Sequence, residues 1–561
     1  MHLEDPPVRN REGATSPDAA GGADPFEPLP TASFDAASVG LAWRVLVVAA
    51  LLLGIFLRFW TPSAEWLDEA LTVNISRQPL HLIPGLLRHD GAPPLFYVML
   101  HYWMEVFGQS NLATRSLSGV IGLANLPVAW LTGYRVGSHR WSLEGVTDAE
   151  RGVRLAHGRS VGWAVTLLLA SSPFAVYYDT EARMYGLVIF LGTVLVLAYT
   201  YLLERATVPR AALLAVAASA MLWTHYWALY AISVAGVVSL WCALRGPHKR
   251  AYRYATGAIV VACLSFVPWV PTFLYQLHHT GTPWAPPAGL TAVVFALTQF
   301  AGGNDDPGRA LAVLFFFFAL LALTAMPLDR WRVVLDLRTR PGVRTLAACT
   351  LAAVVLGVMA DKLSGTTFTD RYTAIVTFPT LLVMAYGIML FSDARVRRVL
   401  LSCAVVFGFL GAVPNAFISR TQAGDVGNVI ATRANSTDVV AFCPDQLGPA
   451  VSRVLDGRFK EIAFPRDNSP EIVDWVDYVK VVKAASPAKF VAKLKQMAGA
   501  KGTVFYVWAS GYAGFGSKCD AIGDALGRWP GHKKRTLVAA APSDTFFEIF
   551  EGDTLDAYSP R

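Results

Sequence analysis

The residues able to do chemistry fall in short clusters between long apolar runs: Asp68-Glu69, Asp90, Glu181 and Arg183, His225, and Asp370-Arg371-Tyr372. A carboxylate that can take a proton, held near arginines that can bind an anion, is equipment for acid–base chemistry on a phosphorylated substrate. The planar guanidinium fork matches two phosphate oxygens at once, which an ammonium does not. Each group also has a plainer reading. Asp68-Glu69 could be a solvated acidic pair at the start of a helix over residues 69–76. Arg371 could be an arginine snorkelling to a membrane interface, and Tyr372 a member of an aromatic belt. Glu181 and Arg183 could pair with each other at the surface for little energy. His225 could be a satisfied interfacial histidine, with Tyr185 a packing neighbour of Arg183.

What must position these groups is a set of membrane helices. The chain has 561 residues, is 54% hydrophobic and only 16% charged, and has a mean hydropathy of +0.41, which is the composition of a polytopic membrane protein. The first apolar run, residues 41–60, is long enough to cross a hydrocarbon core of ~30 Å. No basic segment or small-residue cleavage site precedes it, so it is expected to be a retained span. Residues 1–38 lack the apolar content to fold and are expected to be a disordered cytoplasmic tail.

The net charge of +7 lies in basic clusters at 135–159, 205–210, 245–253, 330–344 and 395–398, each separated from the next by two apolar runs. That is the pattern of cytoplasmic loops, not of a nucleic-acid site. With the amino end inside, the loops at 65–90, 178–184, 225–227, 276–306 and 361–371 face outward. About eleven spans result, with the carboxyl end outside. Residues 94–107 are apolar but short of the ~17 residues a span needs. Counting them as a span would turn the basic clusters outward, so they are predicted to form an amphipathic helix on the outer surface, with another near 79–88.

From 424 to 561 the texture becomes that of a small soluble α/β domain. Strands are predicted at 437–442, 460–464, 503–508 and 545–550, and helices at 469–482 and 487–497. Cys443 and Cys519 are its only cysteines; in an exported domain a disulfide between them is permitted. Cys242, Cys263, Cys349 and Cys403 fall in or beside spans. There is no internal repeat, phosphate-binding glycine loop or HExxH pattern in the tail, and His278 and His279 with Asp305 and Asp306 are not expected to bind metal. No cofactor is implied. Tyr506, Trp508, Tyr512 and Phe515 are either stacking surfaces for a polymeric acceptor or core residues.

The outward clusters also carry a resemblance. Trp66-Leu67-Asp68-Glu69-Ala70, His89-Asp90-Gly91-Ala92-Pro93-Pro94-Leu95, Tyr177-Tyr178-Asp179-Thr180-Glu181-Ala182-Arg183-Met184-Tyr185, Thr224-His225-Tyr226-Trp227 and Asp370-Arg371-Tyr372, in that order over residues 41–414, look like the GT-C glycosyltransferases that use polyprenyl-phosphate sugars. That group includes protein O-mannosyltransferases and lipid A aminoarabinose transferase. The resemblance implies a GT-C-like transmembrane catalytic domain over 39–423; the tail over 424–561 lies outside the shared part and is expected, from its texture and the topology, to be an extracytoplasmic α/β domain. It implies an inner-membrane enzyme that passes a sugar, with inversion, from a polyprenyl monophosphate to an acceptor hydroxyl on an extracytoplasmic glycan or lipoglycan.

In that comparison Asp68 matches the general base, with Glu69 or Asp90 as its assistant. Arg371, Tyr372 and Arg183 would bind the donor phosphate, and Glu181, Tyr185, His225 and Asp90 the substrates. Ala92 replaces the basic residue that precedes the paired prolines in some lipid A modifying members, which disfavours that acceptor. The Ala, Gly, Val and Arg rich usage suggests a high-GC genome, where actinobacterial members build cell-envelope lipoglycans with mannose or arabinofuranose; mannose is favoured by analogy. The alternatives are an arabinofuranosyltransferase, a protein O-mannosyltransferase, a lipid or glycan flippase, which would show two related halves, and a noncatalytic envelope scaffold.

Overall fold

The computed structural model describes residues 40–280, 291–303, 305–328, 332–337, 341–364, 368–512, 514–541 and 550–561. The expected tail at 1–38 lies outside them. The chain begins with α1 (Leu41–Leu57), followed by three short helices, α2 (Leu67–Ser76), α3 (Ile83–Asp90) and α4 (Leu95–Phe107). Next come α5 (Asn111–Gly137), α6 (Asp148–Ser171), α7 (Pro173–Asp179), α8 (Tyr185–Glu204), α9 (Val208–Thr224), α10 (Ala228–Arg245), α11 (Lys249–Phe266) and α12 (Val270–His279). They are followed by α13 (Ala292–Gln299), α14 (Asp306–Thr324), α15 (Pro341–Ser364), α16 (Thr377–Ile388) and α17 (Ala394–Phe417). A small hairpin, β1 (Ala325–Pro327) with β2 (Val333–Leu335), precedes α15.

Among the described residues, eight helices are long and apolar enough to cross a membrane, or nine if the bent pair α6–α7 is one span. That is fewer than the about eleven expected from the sequence; α1 and α9 are apolar but shorter, with 17 residues each. Their outward faces are apolar: Leu41, Val45, Leu46 and Leu52 of α1 and Val313, Phe316 and Phe317 of α14 are exposed, as they must be where hydrocarbon replaces water. Serine, threonine and aspartate side chains cap several starts, Ser110 for α5, Thr147 for α6, Asp305 for α14 and Asp393 for α17, each taking up an amide that the helix leaves unpaired.

The segment between α1 and α5 is structured, as the sequence predicts. α4 has 13 residues and buries Phe96, Tyr97, Leu100 and Met104 while Tyr102, Val106 and Phe107 stay exposed. α3 ends on Gly91 in the left-handed region (φ 95°), next to the Thr280 hydroxyl, a conformation that a side chain would strain.

After α17 come α18 (Ala423–Arg433), β3 (Val439–Cys443), α19 (Gly448–Leu455), β4 (Lys460–Ala463), α20 (Tyr478–Ala484), α21 (Pro487–Ala498), β5 (Val504–Trp508), α22 (Lys518–Gly527), β6 (His532–Val538) and β7 (Thr554–Pro560). The sheet order is β4-β3-β5-β7-β6, parallel across the first three strands and antiparallel at β7 and β6. β3, Val-Val-Ala-Phe-Cys, is buried throughout, the continuous apolar run of a strand covered on both faces. One face packs Tyr506, Ile522 and Tyr558 with α21 and α22; the other packs Phe442 and Phe505 with Val426 and Val451 of α18 and α19. Cys443 and Cys519 are joined as a disulfide, with Cα atoms 5.5 Å apart.

Two tail expectations are corrected. The helix predicted at 469–482 starts only at Tyr478, because Asp477 takes a left-handed φ of 50° and the Trp475 and Asp477 amides donate to the His89 and His279 carbonyls of the helical bundle. The aromatic residues offered as stacking surfaces belong to the core: Tyr506 and Phe515 are buried, and Trp508 and Tyr512 pack against them. The strand predicted at 545–550 falls almost wholly outside the described residues, while β6 and β7 were not anticipated.

Candidate active site

α2 lies between the bundle and the tail domain, and its successive residues face different neighbours. Asp68 points into a cavity. Glu69 is fully buried and takes both bonds of the Arg115 fork, at 2.7 and 2.6 Å, together with the Ala182 amide at 2.9 Å. Ala70 packs among the tail residues Val426, Val451 and Phe505. The Leu67 amide at the head of α2, which Trp66 leaves uncapped, donates to Glu551 Oε1 of the tail at 2.9 Å. Arg453 of α19 closes the same end on Glu65 at 2.5 Å.

The cavity has a volume of about 250 Å³. Asp68, Asp90, Arg183, Tyr185, His225, Asp361, Arg371 and Tyr372 all line it. Asp68 Oδ2 lies 2.8 Å from Arg371 Nη1 and 3.6 Å from Arg183 Nη2. Arg183 also donates to the Thr72 hydroxyl at 2.8 Å, one turn along α2. Arg371 sits in a tight 3-10 stretch, Asp370–Val376, immediately before α16, with its guanidinium over the Trp66 ring. Arg183 is set by the break between α7 and α8. α7 bends 60° from α6 at its own start, and the loop after α7 is pinned by Arg420 on the Thr180 hydroxyl (2.6 Å), Glu69 on the Ala182 amide and Ser118 on the Arg183 carbonyl (3.2 Å).

These placements sort the residues expected from the sequence. Asp68, Asp90, Arg183, Tyr185, His225, Arg371 and Tyr372 come together at one cavity. Glu69 and Glu181 do not line it. The buried Glu181 carboxylate accepts from the Trp66 indole at 3.1 Å and faces Arg420 at 3.9 Å, so the anticipated pair of Glu181 with Arg183 is not the one formed. Through its bonds to Arg115 and the Ala182 amide, Glu69 ties α2 to the loop that carries Arg183. Its burial works to raise its pKa, but Arg115 outweighs that and holds the carboxyl below its ordinary value. His278 bonds the Leu274 carbonyl of its own helix, His279 pairs with Asp477, Asp305 caps α14, and Asp306 faces Arg309.

Enclosure raises the Asp90 carboxyl above its ordinary value, and its oxygen accepts from Tyr97 at 2.7 Å. Burial, reinforced by the Arg183 and Arg371 charges, pushes His225 down to about 3. A neutral imidazole results, with Nδ1 accepting from the Trp227 amide at 3.1 Å and the ring 5.2 Å from that of Tyr372. The site therefore offers carboxylates as bases, two guanidiniums as anion ligands, and a histidine that binds without carrying charge. The sequence missed Arg115, Arg420, Gln276 and Trp475. The first two are arginines within or just past apolar helices, a signal that marks an intramembrane or interfacial partner; Gln276 and Trp475 carry no local signal.

No protein-family model matches the sequence, and no curated protein does. Among solved structures, ArnT from Cupriavidus metallidurans bound to undecaprenyl phosphate superposes with a TM-score of 0.57 at 12% identity, over 92% of this chain and 98% of that one. The same protein in its apo state gives 0.55 at 13% identity with the same coverage. The chain shares the fold of ArnT. A looser likeness, TM-score 0.46 at 12% identity, links 94% of the chain to 40% of the mycobacterial arabinofuranosyltransferase AftD, a score too low to bear on the fold. The cavity lies where α2, the α7–α8 break, the α9–α10 turn and the start of α16 converge.

Proposed function

We propose that this chain is an integral membrane glycosyltransferase that moves a sugar from a polyprenyl monophosphate to an acceptor hydroxyl, with inversion and with Asp68 as general base. The observation that carries this reading is the Asp68 carboxylate in the cavity, 2.8 Å from Arg371 and 3.6 Å from Arg183. The fold shared with ArnT and the undecaprenyl phosphate bound to that protein support it.

In the step proposed, Asp68 takes the acceptor proton while the acceptor oxygen forms its bond to the anomeric carbon. The bond from that carbon to the phosphate oxygen breaks with its electron pair, and polyprenyl phosphate leaves with one more negative charge. Arg371 and Arg183 meet that charge where it develops, which is where positioned cations lower a barrier most. Neutral His225 and Tyr372 line the same space for hydrogen bonds to the sugar or phosphate. Glu69 is a positioning residue, since it fixes both the helix of the base and the loop of Arg183.

The domain reading is a GT-C-type catalytic part over 39–423 and an extracytoplasmic tail over 424–561, in the inner membrane with the amino end cytoplasmic. Mannose on an envelope glycan is the favoured sugar and acceptor type; arabinofuranose is the runner-up. The test is sugar transfer by the purified full chain, offered polyprenyl-phosphate mannose, decaprenyl-phosphate arabinose and nucleotide sugars in parallel. Transfer from a lipid donor with an inverted anomeric centre is expected. Transfer from nucleotide sugars only, or retention of configuration, would overturn the reading.

A further inference from the structure

The cavity has a wall that residues 40–423 do not supply. Among the described residues lining it, Trp475 alone comes from the tail domain. It sits on a loop, residues 466–477, that is tied down at both sides of the cavity mouth. The Trp475 amide donates to the His89 carbonyl at 3.1 Å, and Asp474 meets His89 Nδ1 at 2.9 Å. On the other side Val476 bridges Thr280, and the Asp477 amide donates to the His279 carbonyl at 2.9 Å. Arg466 braces the loop from behind by donating to the Asp474 and Val476 carbonyls. The indole is largely buried on the tail-domain core, and unlike the other aromatic residues of that core it also lines the cavity.

The indole is backed by Tyr478, with ring centroids 5.1 Å apart, and Tyr478 is itself held by its hydroxyl donating to Asp445. A flat, rigid aromatic face thus lines the cavity together with Asp90, whose preceding residue carries the bond to the Trp475 amide. An apolar face beside a hydrogen-bond acceptor suits a sugar ring, which presents C–H groups on one face and hydroxyls at its edge. Tryptophan gives large contact area at low entropic cost and dominates binding where it anchors a pocket.

We infer that Trp475 is the stacking platform for a carbohydrate acceptor, so that the tail domain selects the acceptor and the helical part holds the donor. This rests on the proposed function for the division of roles. The donor's phosphate belongs at Arg371 and Arg183 and its lipid chain among the helices; the remaining partner reaches the cavity past the tail domain.

The experiment uses the full chain in lipid nanodiscs with manno- and arabino-oligosaccharides as probes. Binding is read by saturation-transfer NMR without donor, and transfer by steady-state kinetics with the polyprenyl-phosphate sugars. Trp475→Ala is expected to weaken oligosaccharide binding and raise the acceptor KM by about tenfold or more, the scale of an aromatic anchor. The donor KM and the kcat at saturating acceptor should hold, and Trp475→Tyr should restore most of the loss. Trp475→Leu keeps apolar bulk against Tyr478 without a flat face, so it carries the test should the alanine variant fail to fold; it too should lose binding. Unchanged acceptor binding in these variants, no oligosaccharide binding by the wild type, or transfer to a serine or threonine peptide that ignores Trp475 would overturn the proposal. Absence of transfer with intact, Trp475-dependent oligosaccharide binding would instead count against the proposed reaction.

Discussion

Replacing Asp68 by Asn keeps the shape of the side chain and removes its charge, which separates its two roles. As the proposed base it would be worth about 10²–10⁴-fold in kcat, the range for a positioned proton acceptor. As an ion-pair partner it balances Arg371 and Arg183, whose side chains are only 7% and 11% exposed. Breaking a buried pair from one side costs about 3–5 kcal/mol because the remaining charge is left uncompensated; with the Asp68 side chain 16% exposed, the lower end, ~3 kcal/mol, applies. A polyprenyl phosphate would return much of that by replacing the missing anion. The variant should therefore melt earlier than wild type when empty, gain more than wild type on adding polyprenyl phosphate, and bind that lipid at least as tightly while transferring hardly at all. Thermal melts with and without the lipid, alongside single-turnover transfer, read both roles. Transfer within about tenfold of wild type, below what a lost base costs, or weaker lipid binding would refute the reasoning.

Glu69→Leu should destabilise the chain by about 3–5 kcal/mol, because Arg115 is left buried without its partner and the Ala182 amide loses its acceptor; a thermal melt in detergent checks it. The His225 pKa lies below its unfolded value, so the neutral form is favoured on folding, and the sign follows: its contribution is complete above pH ~6.5 and is lost as pH falls toward about 3. His225→Gln should remove an acid-side loss approaching ~1.4 kcal/mol per pH unit below 6.5, seen as a shallower fall of melting temperature with acid. Reducing Cys443–Cys519, which are 76 residues apart, should cost the tail domain about 2–4 kcal/mol, measured as an earlier melt after reductant or in the paired serine variant.

The reading of the fold from sequence rested on hydropathy, which is dictated locally. A run such as Leu41–Leu57 is apolar on every side because hydrocarbon surrounds it, and alternating basic loops separate such runs; no tertiary contact is needed to see either. The strands Val439–Cys443 and Val504–Trp508 were legible for a similar reason, since burial on both faces leaves an unbroken apolar signature. The pattern failed where contacts between distant segments override local preference. Residues 469–477 have a helical pattern yet bond to His89 and His279.

The sequence by itself also determined which cluster types were present: carboxylates and arginines at the ends of apolar runs, in an order matching the GT-C pattern. Only the tertiary structure decided which of two adjacent acids faces the cavity. Successive helical side chains point about 100° apart, so Asp68 meets Arg371 and Arg183 while Glu69 turns to Arg115 and Ala182. It likewise decided that Glu181 serves Trp66 and Arg420, and that a tryptophan more than 400 residues from the proposed base completes the same cavity. Side-chain direction and long-range packing belong to no local stretch of sequence, and they are what set the cavity-lining Asp68 apart from its buried neighbour Glu69.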